Sequence, residues 1–309
     1  VDAFDGQALC NNAIATIRRM AHLSSDAGQK QISADGSTVL VVPEWQGIDW
    51  LWHGFSMRDG GVSRAYLEDG PGAELLAGEM NLGFTPADTA ENVDENRARW
   101  VAAVTGSRAT PLVAVRQVHS NCSAVLRAPS TGFAPDAIPE VDGLITDQQG
   151  ILLGIQTADC IPVLVADRAL RVVAVFHAGW RGTVERIVEL GVATMQAEFG
   201  SSPANLVAAI GPGIGSCCYT VGEEVWSRFA SRFSYAAELF SPGNAEGSGG
   251  LRLDLTEANR RQLLDAGLSE GAIATVGGCT SCQPERFYSH RASGGHAGRM
   301  MAVIGVRPV

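Results

Sequence analysis

Apolar residues fall along this chain in two patterns. Short continuous runs dominate the middle: Val39-Leu40-Val41-Val42, Ile48 to Phe55, Val113-Ala114-Val115, Ser123 to Leu126, Gly143 to Thr146, Ile151 to Gln156, Pro162 to Ala166, Val172 to Phe176 and Leu206 to Ile210. Such runs, lacking polar alternation, read as strands covered on both faces. Helical periodicity marks Asp88 to Val104, opened by the acidic Asp88, Glu91 and Asp94. It also marks Val184 to Phe199, where Ile187, Val188, Gly191, Val192 and Met195 share one face. Gly222 to Arg232 and Leu255 to Ala266 read as two further helices, and Met301 to Gly305 as a last strand. Arg58-Asp59-Gly60-Gly61 and Asp69-Gly70-Pro71-Gly72 carry turn chemistry, and Gly243 to Gly250 is a glycine-rich loop. No repeat or heptad interrupts this order, so a single mixed α/β (α+β) domain over 38–309 is the simplest account. Residues 1–37, with one helix-like stretch from Ala8 to Leu23, read as a poorly ordered extension.

Composition narrows the class of function. The 309 residues are 46% hydrophobic and 18% charged, ordinary for a globular chain. With 23 Lys+Arg against 33 Asp+Glu the net charge is −10, so the basic footprint of a nucleic-acid or anionic-membrane binder is missing. An anionic substrate must be held by local cations. Seven cysteines, an odd number on a long chain, fit a reducing compartment better than a disulfide framework. No apolar run reaches the roughly 18 residues of a membrane span, and the N-terminal segment lacks a secretory h-region, so a cytoplasmic protein is expected.

Three segments place a metal-capable side chain beside a buried strand: Gln117-Val118-His119, Ala158-Asp159-Cys160 and Phe176-His177-Ala178-Gly179. Side chains at strand ends can converge on a cleft. One thiolate and two imidazoles form a three-ligand set that zinc accepts with its fourth position open, a catalytic arrangement. Taken singly, each of the three also reads as an ordinary core or surface residue. The same residues admit a second chemistry, in which Cys160 is a nucleophile activated by His119 or His177 in a hydrolase or amidase. Cys279-x-x-Cys282 has knuckle spacing, but no second C-x-x-C or nearby His pair completes a structural zinc site, so a packing or shaping role is expected. Cys217-Cys218, between Gly215 and Tyr219, reads as a tight loop near the cleft. Phe287-Tyr288 either stacks on a planar ligand or belongs to the core.

Seven ordered motifs carry a resemblance. They are His53-Gly54-Phe55-Ser56 through Arg58-Asp59-Gly60-Gly61-Val62-Ser63, Arg116-Gln117-Val118-His119, Asp142-Gly143-Leu144-Ile145-Thr146, Thr157-Ala158-Asp159-Cys160-Ile161-Pro162, His177-Ala178-Gly179-Trp180-Arg181-Gly182, Gly211-Pro212 to Cys217-Cys218-Tyr219, and Cys279-Thr280 with Phe287 to Arg291. From about Trp50 to the C-terminus the chain resembles the YfiH-like laccase-domain family, long labelled multicopper polyphenol oxidases and now described as purine nucleoside phosphorylases.

The resemblance implies a layered α/β/β/α fold and places the family's zinc and catalytic set on His119, Cys160 and His177. It makes Asp159 a supporting group that orients an imidazole or moves a proton, with capping of a loop as the alternative. The implied activity is phosphorolysis of adenosine, inosine or related purine nucleosides, with adenosine deamination as a second activity. Phosphate then needs a cation, and Arg58 and Arg181, each with glycines nearby in sequence, are the candidates. The older oxidase label fits poorly. A four-copper centre draws on many imidazoles in His-x-His pairs, whereas this chain has six histidines and no such pair. Copper could still replace zinc at a single Cys/His/His site. Met57 stands where the family usually has a small hydroxyl residue, Ser120 where glycine is common, and Arg64 to Glu79 is longer and more acidic than expected.

Overall fold

The apolar runs pair into two six-stranded sheets. In the computed structural model the described residues are 29–32, 37–67, 77–127, 132–134, 136–243 and 250–308. The strands are β1 (Gln29–Ile32), β2 (Thr38–Val41), β3 (Leu51–Ser56), β4 (Asp59–Gly61), β5 (Gly78–Glu79), β6 (Leu112–Val113), β7 (Ser123–Leu126), β8 (Gly143–Thr146), β9 (Leu152–Thr157), β10 (Ile161–Asp167), β11 (Val173–Ala178), β12 (Leu206–Ile210), β13 (Thr220–Val221), β14 (Phe240–Pro242), β15 (Leu251–Leu253), β16 (Ile273–Thr275) and β17 (Met300–Val306). The helices are α1 (Ala90–Thr105), α2 (Trp180–Val184), α3 (Ile187–Phe199), α4 (Glu223–Arg232), α5 (Ala236–Leu239) and α6 (Leu255–Asp265). One sheet runs β1-β2-β3-β17-β9-β6 and the other β16-β12-β10-β11-β8-β7, with β13-β15-β14 and β4-β5 as small accessories.

Strand alternation explains the layering. On β10, Leu164 and Ala166 join Leu40, Phe55, Leu153, Ile155 and Ile304 of the first sheet in one core, so the two sheets pack face to face. The intervening Ile161, Val163 and Val165 point the other way, against Ile187, Val188, Val192 and Met195 of α3, Phe229 of α4 and Leu263 of α6. On the far side Val39, Val41, Trp52 and Val303 pack on Trp100 and Val101 of α1. The order is α/β/β/α, as the resemblance implies. Both faces of each sheet are buried, which is why the strands read as unbroken apolar runs.

Several expected boundaries shift. The helix expected over Val184 to Phe199 is two helices, because Arg186 takes a left-handed conformation (φ 63°) and breaks the ladder between α2 and α3. The strand expected from Ile48 starts at Leu51, after a turn in which Ile48 N–H donates to the Trp45 carbonyl. The strand expected over Val113-Ala114-Val115 is the two-residue β6. Within the expected extension, β1 pairs antiparallel with β2 from Gln29 opposite Val41 to Ile32 opposite Thr38. The helix-like stretch Ala8 to Leu23 and the turn Asp69 to Gly72 lie outside the described residues, as does 244–249 of the glycine-rich loop. Among the described residues no helix is long and apolar enough to cross a membrane.

One glycine sets the spacing of the helical layer. A Cβ on Gly191 of α3 would lie 2.2 Å from the Phe176 ring, so only glycine lets α3 settle on β11. Gly191→Ala is expected to cost about 1–3 kcal/mol as an overpacked contact. Gly47→Ala, whose Cβ meets nothing within 4 Å, should change stability by less than about 0.5 kcal/mol. Urea unfolding of the two variants checks this.

Candidate active site

The three metal-capable residues converge at one end of the second sheet. Cys160 immediately precedes β10, His177 is the penultimate residue of β11 and pairs across from Pro162, and His119 lies in the loop between β6 and β7. One donor atom from each of His119, Cys160 and His177 lies within 4.8 Å of the others. The two imidazoles meet edge to face, with ring centroids 4.9 Å apart. Gly179 makes room, since a Cβ there would sit 2.9 Å from the Cys160 sulfur and 3.0 Å from the His119 ring.

A residue the sequence reading left without a role organises this cluster. Asp142, just before β8, is 0% exposed. Its Oδ1 accepts from His177 Nδ1 at 2.8 Å and from the His119 backbone N–H at 3.0 Å. Its Oδ2 accepts from the backbone N–H and hydroxyl of Ser120 at 2.6 and 2.8 Å, and from the Val118 N–H at 3.2 Å. The backbone joins in, with His177 N–H donating to the Asp142 carbonyl at 2.7 Å. Holding Nδ1 this way leaves Nε2 of His177 as the free donor atom. The same carboxylate pins the His119 loop, where His119 itself has φ 61°, a conformation that needs outside support in a non-glycine residue.

These contacts set the local charges. Burial would raise the Asp142 carboxyl, but hydrogen bonds from His177 and Ser120 bring it down to about 2. Burial would likewise raise the Cys160 thiol, yet the His177 charge and hydrogen bonds from His119 and His177 pull it below the ordinary thiol range. Burial opposes charge on His177, and the Cys160 thiolate and Asp142 push its pKa up nonetheless. These contacts favour the thiolate form of Cys160, the form that ligates a metal, while His177 would release its proton on binding one. Zinc bonds of about 2.0–2.3 Å place donors about 3.3–3.8 Å apart, so small side-chain movements close the set around one ion with an open side. The donor chemistry fits the expected metal.

The cluster lies on a cleft of about 550 Å³, within the roughly 300–1,000 Å³ of small-ligand sites. Its walls include Gln117, Trp180, Arg181, Tyr219, Arg291 and Arg299. The family model described as multi-copper polyphenol oxidoreductase laccase matches residues 52–307. The purine nucleoside phosphorylase YlmD of Geobacillus stearothermophilus is 37% identical over 268 residues, covering 84% of this chain and 94% of that protein. The chain belongs to this laccase-like family. A protein named adenosine deaminase RL5, from an unknown prokaryotic organism, is 37% identical over 197 residues, covering 62% of this chain and 74% of its own. The crystal structure of Bacillus licheniformis hypothetical protein YfiH aligns with a TM-score of 0.76 and 33% identity, covering 90% of this chain and 99% of that one.

In this member of the laccase-like family the other expected site residues are placed differently. Arg181 is exposed at the cleft, its guanidinium carbon 4.6 Å from the Trp180 ring centroid. Arg58 is not in the cleft wall. Its guanidinium is engaged by Glu79 at 2.5 Å and by the carbonyls of Pro284 and Tyr66 at 2.8 and 2.9 Å, and it stacks on Tyr288. Asp159 touches neither imidazole. Its carboxylate accepts from Thr280 Oγ1 and from the Arg291 backbone N–H, both at 2.6 Å, so it ties loops together beside Cys160 from a left-handed backbone (φ 93°). Phe287 and Tyr288, 0% and 2% exposed, are core residues, and Met57 at 4% faces the core too. Ser120 supplies two of the Asp142 hydrogen bonds that a glycine could supply only in part. Arg291, Arg299 and Tyr219 of the cleft were not singled out from sequence, though Tyr219 and Arg291 close two of the quoted motifs.

Asp142→Asn preserves shape but replaces an acceptor by an amide, which cannot accept from all these donors. Its zinc affinity, read by competition with a chelator, is expected to fall about 10–100-fold. Arg58→Ala should leave that affinity unchanged while lowering stability.

Proposed function

We propose that this protein is a zinc-dependent purine nucleoside phosphorylase that converts adenosine or inosine and phosphate to free base and ribose 1-phosphate. Adenosine deamination, giving inosine and ammonia, is the proposed second activity of the same cleft. The observation that carries this reading is a three-donor His119/Cys160/His177 set, open on one side, in a cleft whose basic residues are arginines. The names of the relatives, one of them an adenosine deaminase, point the same way.

His119, Cys160 and His177 would hold the zinc. Zinc bound there supplies a Lewis acid that polarises an oxygen brought against it. Asp142 keeps His177 aimed at the sulfur and keeps the His119 loop in place through the reaction. Arg181 is assigned to phosphate, because a planar guanidinium matches two phosphate oxygens and this one, stacked on Trp180, forms no ion pair among the described residues. Arg291 and Arg299 add positive charge, but each also donates to backbone carbonyls, Arg291 to Thr220 and Arg299 to Ala297 and Gly298. Burial and the Cys160 charge push the Tyr219 phenol well above its ordinary pKa. Its hydroxyl stays a donor at neutral pH and is assigned to the departing purine.

A second reading has one specific observation behind it. Cys160, His177 and Asp142 have the connectivity of nucleophile, base and orienting acid in a cysteine hydrolase. A second imidazole on the same sulfur, that of His119, favours the metal. Zinc-loaded protein is expected to release ribose 1-phosphate from adenosine or inosine only when phosphate is present. Arg181→Ala should raise the KM for phosphate about 10–100-fold, the equivalent of one charge-assisted hydrogen-bonded contact. Chromatography of the products checks both. Absence of ribose 1-phosphate together with absence of inosine from adenosine would defeat the reading.

A further inference from the structure

A second cluster of donors lies apart from the His119/Cys160/His177 set. Cys217 and Cys218 follow the tight Gly211 to Gly215 segment, and Cys279 and Cys282 sit in the loop after β16. The fold brings these two segments side by side. Gly213 and Cys279 form an isolated parallel bridge, and the Thr280 N–H donates to the Gly213 carbonyl at 3.0 Å. The four sulfurs all lie within 4.8 Å of one another. The partner that the C-x-x-C spacing lacked in sequence is thus a vicinal cysteine pair more than 60 positions away.

The geometry points to a structural metal site in which Cys217, Cys218, Cys279 and Cys282 bind one zinc ion as a closed tetrathiolate. Four sulfurs about 2.3 Å from a tetrahedral ion stand about 3.8 Å apart. The Cys282 sulfur lies 3.4 Å from that of Cys217 and 3.3 Å from that of Cys218, so it approaches two partners equally instead of pairing with one. The described cysteines are all free of disulfides. The Gly215 N–H donates to the Cys279 sulfur at 3.2 Å, the contact that stabilises a metal-bound thiolate. A Cβ on Gly215 would fall 3.2 Å from both the Cys217 sulfur and Cys279 Cβ, so this position favours glycine. Binding releases the thiol protons to solvent, with no change of oxidation state. With four protein ligands the ion has no open position and its role is structural.

The position gives the ion a purpose. Cys218 adjoins Tyr219 of the cleft wall, and Cys279 adjoins Thr280, whose hydroxyl holds Asp159 next to Cys160. The metal would staple together the two loops that form this side of the cleft.

Metal analysis of the purified full chain, followed by exchange into cobalt(II), tests the site independently of the catalytic proposal. Two metal ions per chain are expected. His119→Ala/His177→Ala should retain one, whose cobalt form has the intense visible and near-ultraviolet absorption of an all-thiolate tetrahedron. Cys279→Ser/Cys282→Ser should lose that signature and keep the other ion. Should that variant fail to fold, alkylation decides: in the wild-type chain these four thiols and Cys160 are expected to resist until a mercurial releases the metal, and in His119→Ala/His177→Ala these four alone. A chain without the all-thiolate absorption, or a mass lowered by the hydrogens of one or two disulfides among these cysteines, overturns the proposal. A catalytic cleft without zinc would leave this site's expected signature unchanged.

Discussion

The Asp142 carboxylate is the constraint on which the candidate site depends. A fully buried charge is costly unless it is fully hydrogen-bonded, and this one collects three backbone N–H groups, a hydroxyl and an imidazole. Those donors come from two different places in the chain, the 118–120 loop and β11. One carboxylate therefore sets the positions of two metal-capable residues at once. The sheet supplies the rest of the geometry. Gly143, next in sequence, pairs with Phe176, and a Cβ there would fall 2.1 Å from the Ser123 hydroxyl and 2.7 Å from the Phe176 ring. Close packing of β8 against its neighbours is what buries Asp142 beside His177.

Charge is distributed to match. The chain is acidic overall, and many of its arginines are committed to carboxylates, including Arg99 and Arg108 to Glu95, Arg127 to Glu198, Arg232 to Glu185, and Arg260 and Arg261 to Glu257. Among the described residues Arg181, Arg291 and Arg299 form no ion pair, and all three line the cleft. A cleft with uncompensated cations in an acidic protein attracts anions locally, and that attraction is screened as salt rises. Arg181, expected from the sequence, and Arg291 and Arg299, which composition alone could not single out, are the cations this cleft offers without an ion pair.

What the sequence made legible follows the range of the interactions involved. Continuous apolar runs such as Pro162 to Ala166 announce burial on both faces, and the runs of the middle of the chain do form strands, with shifted ends at Leu51 and Leu112–Val113. The layer order came from the family resemblance, because periodicity shows that a face is buried without showing what covers it. The break at Arg186 was hidden, since an arginine inside an amphipathic pattern carries no breaker signal. Asp142 and Asp159 illustrate the limit at the site. Both adjoin motif residues, and only the tertiary fold shows that Asp142 meets His177 while Asp159 meets Thr280 and Arg291. The same holds for Cys217-Cys218 and Cys279-x-x-Cys282, two incomplete signatures until the chain is folded.

A crystal structure of the zinc-loaded protein with ribose 1-phosphate and hypoxanthine, using anomalous scattering to locate metal, addresses the central claim most directly. The account predicts an ion ligated by His119, Cys160 and His177, with His177 Nδ1 still on Asp142 and the phosphate group against Arg181. An ion elsewhere with Cys160 free, or the sugar phosphate bound outside this cleft, would contradict it.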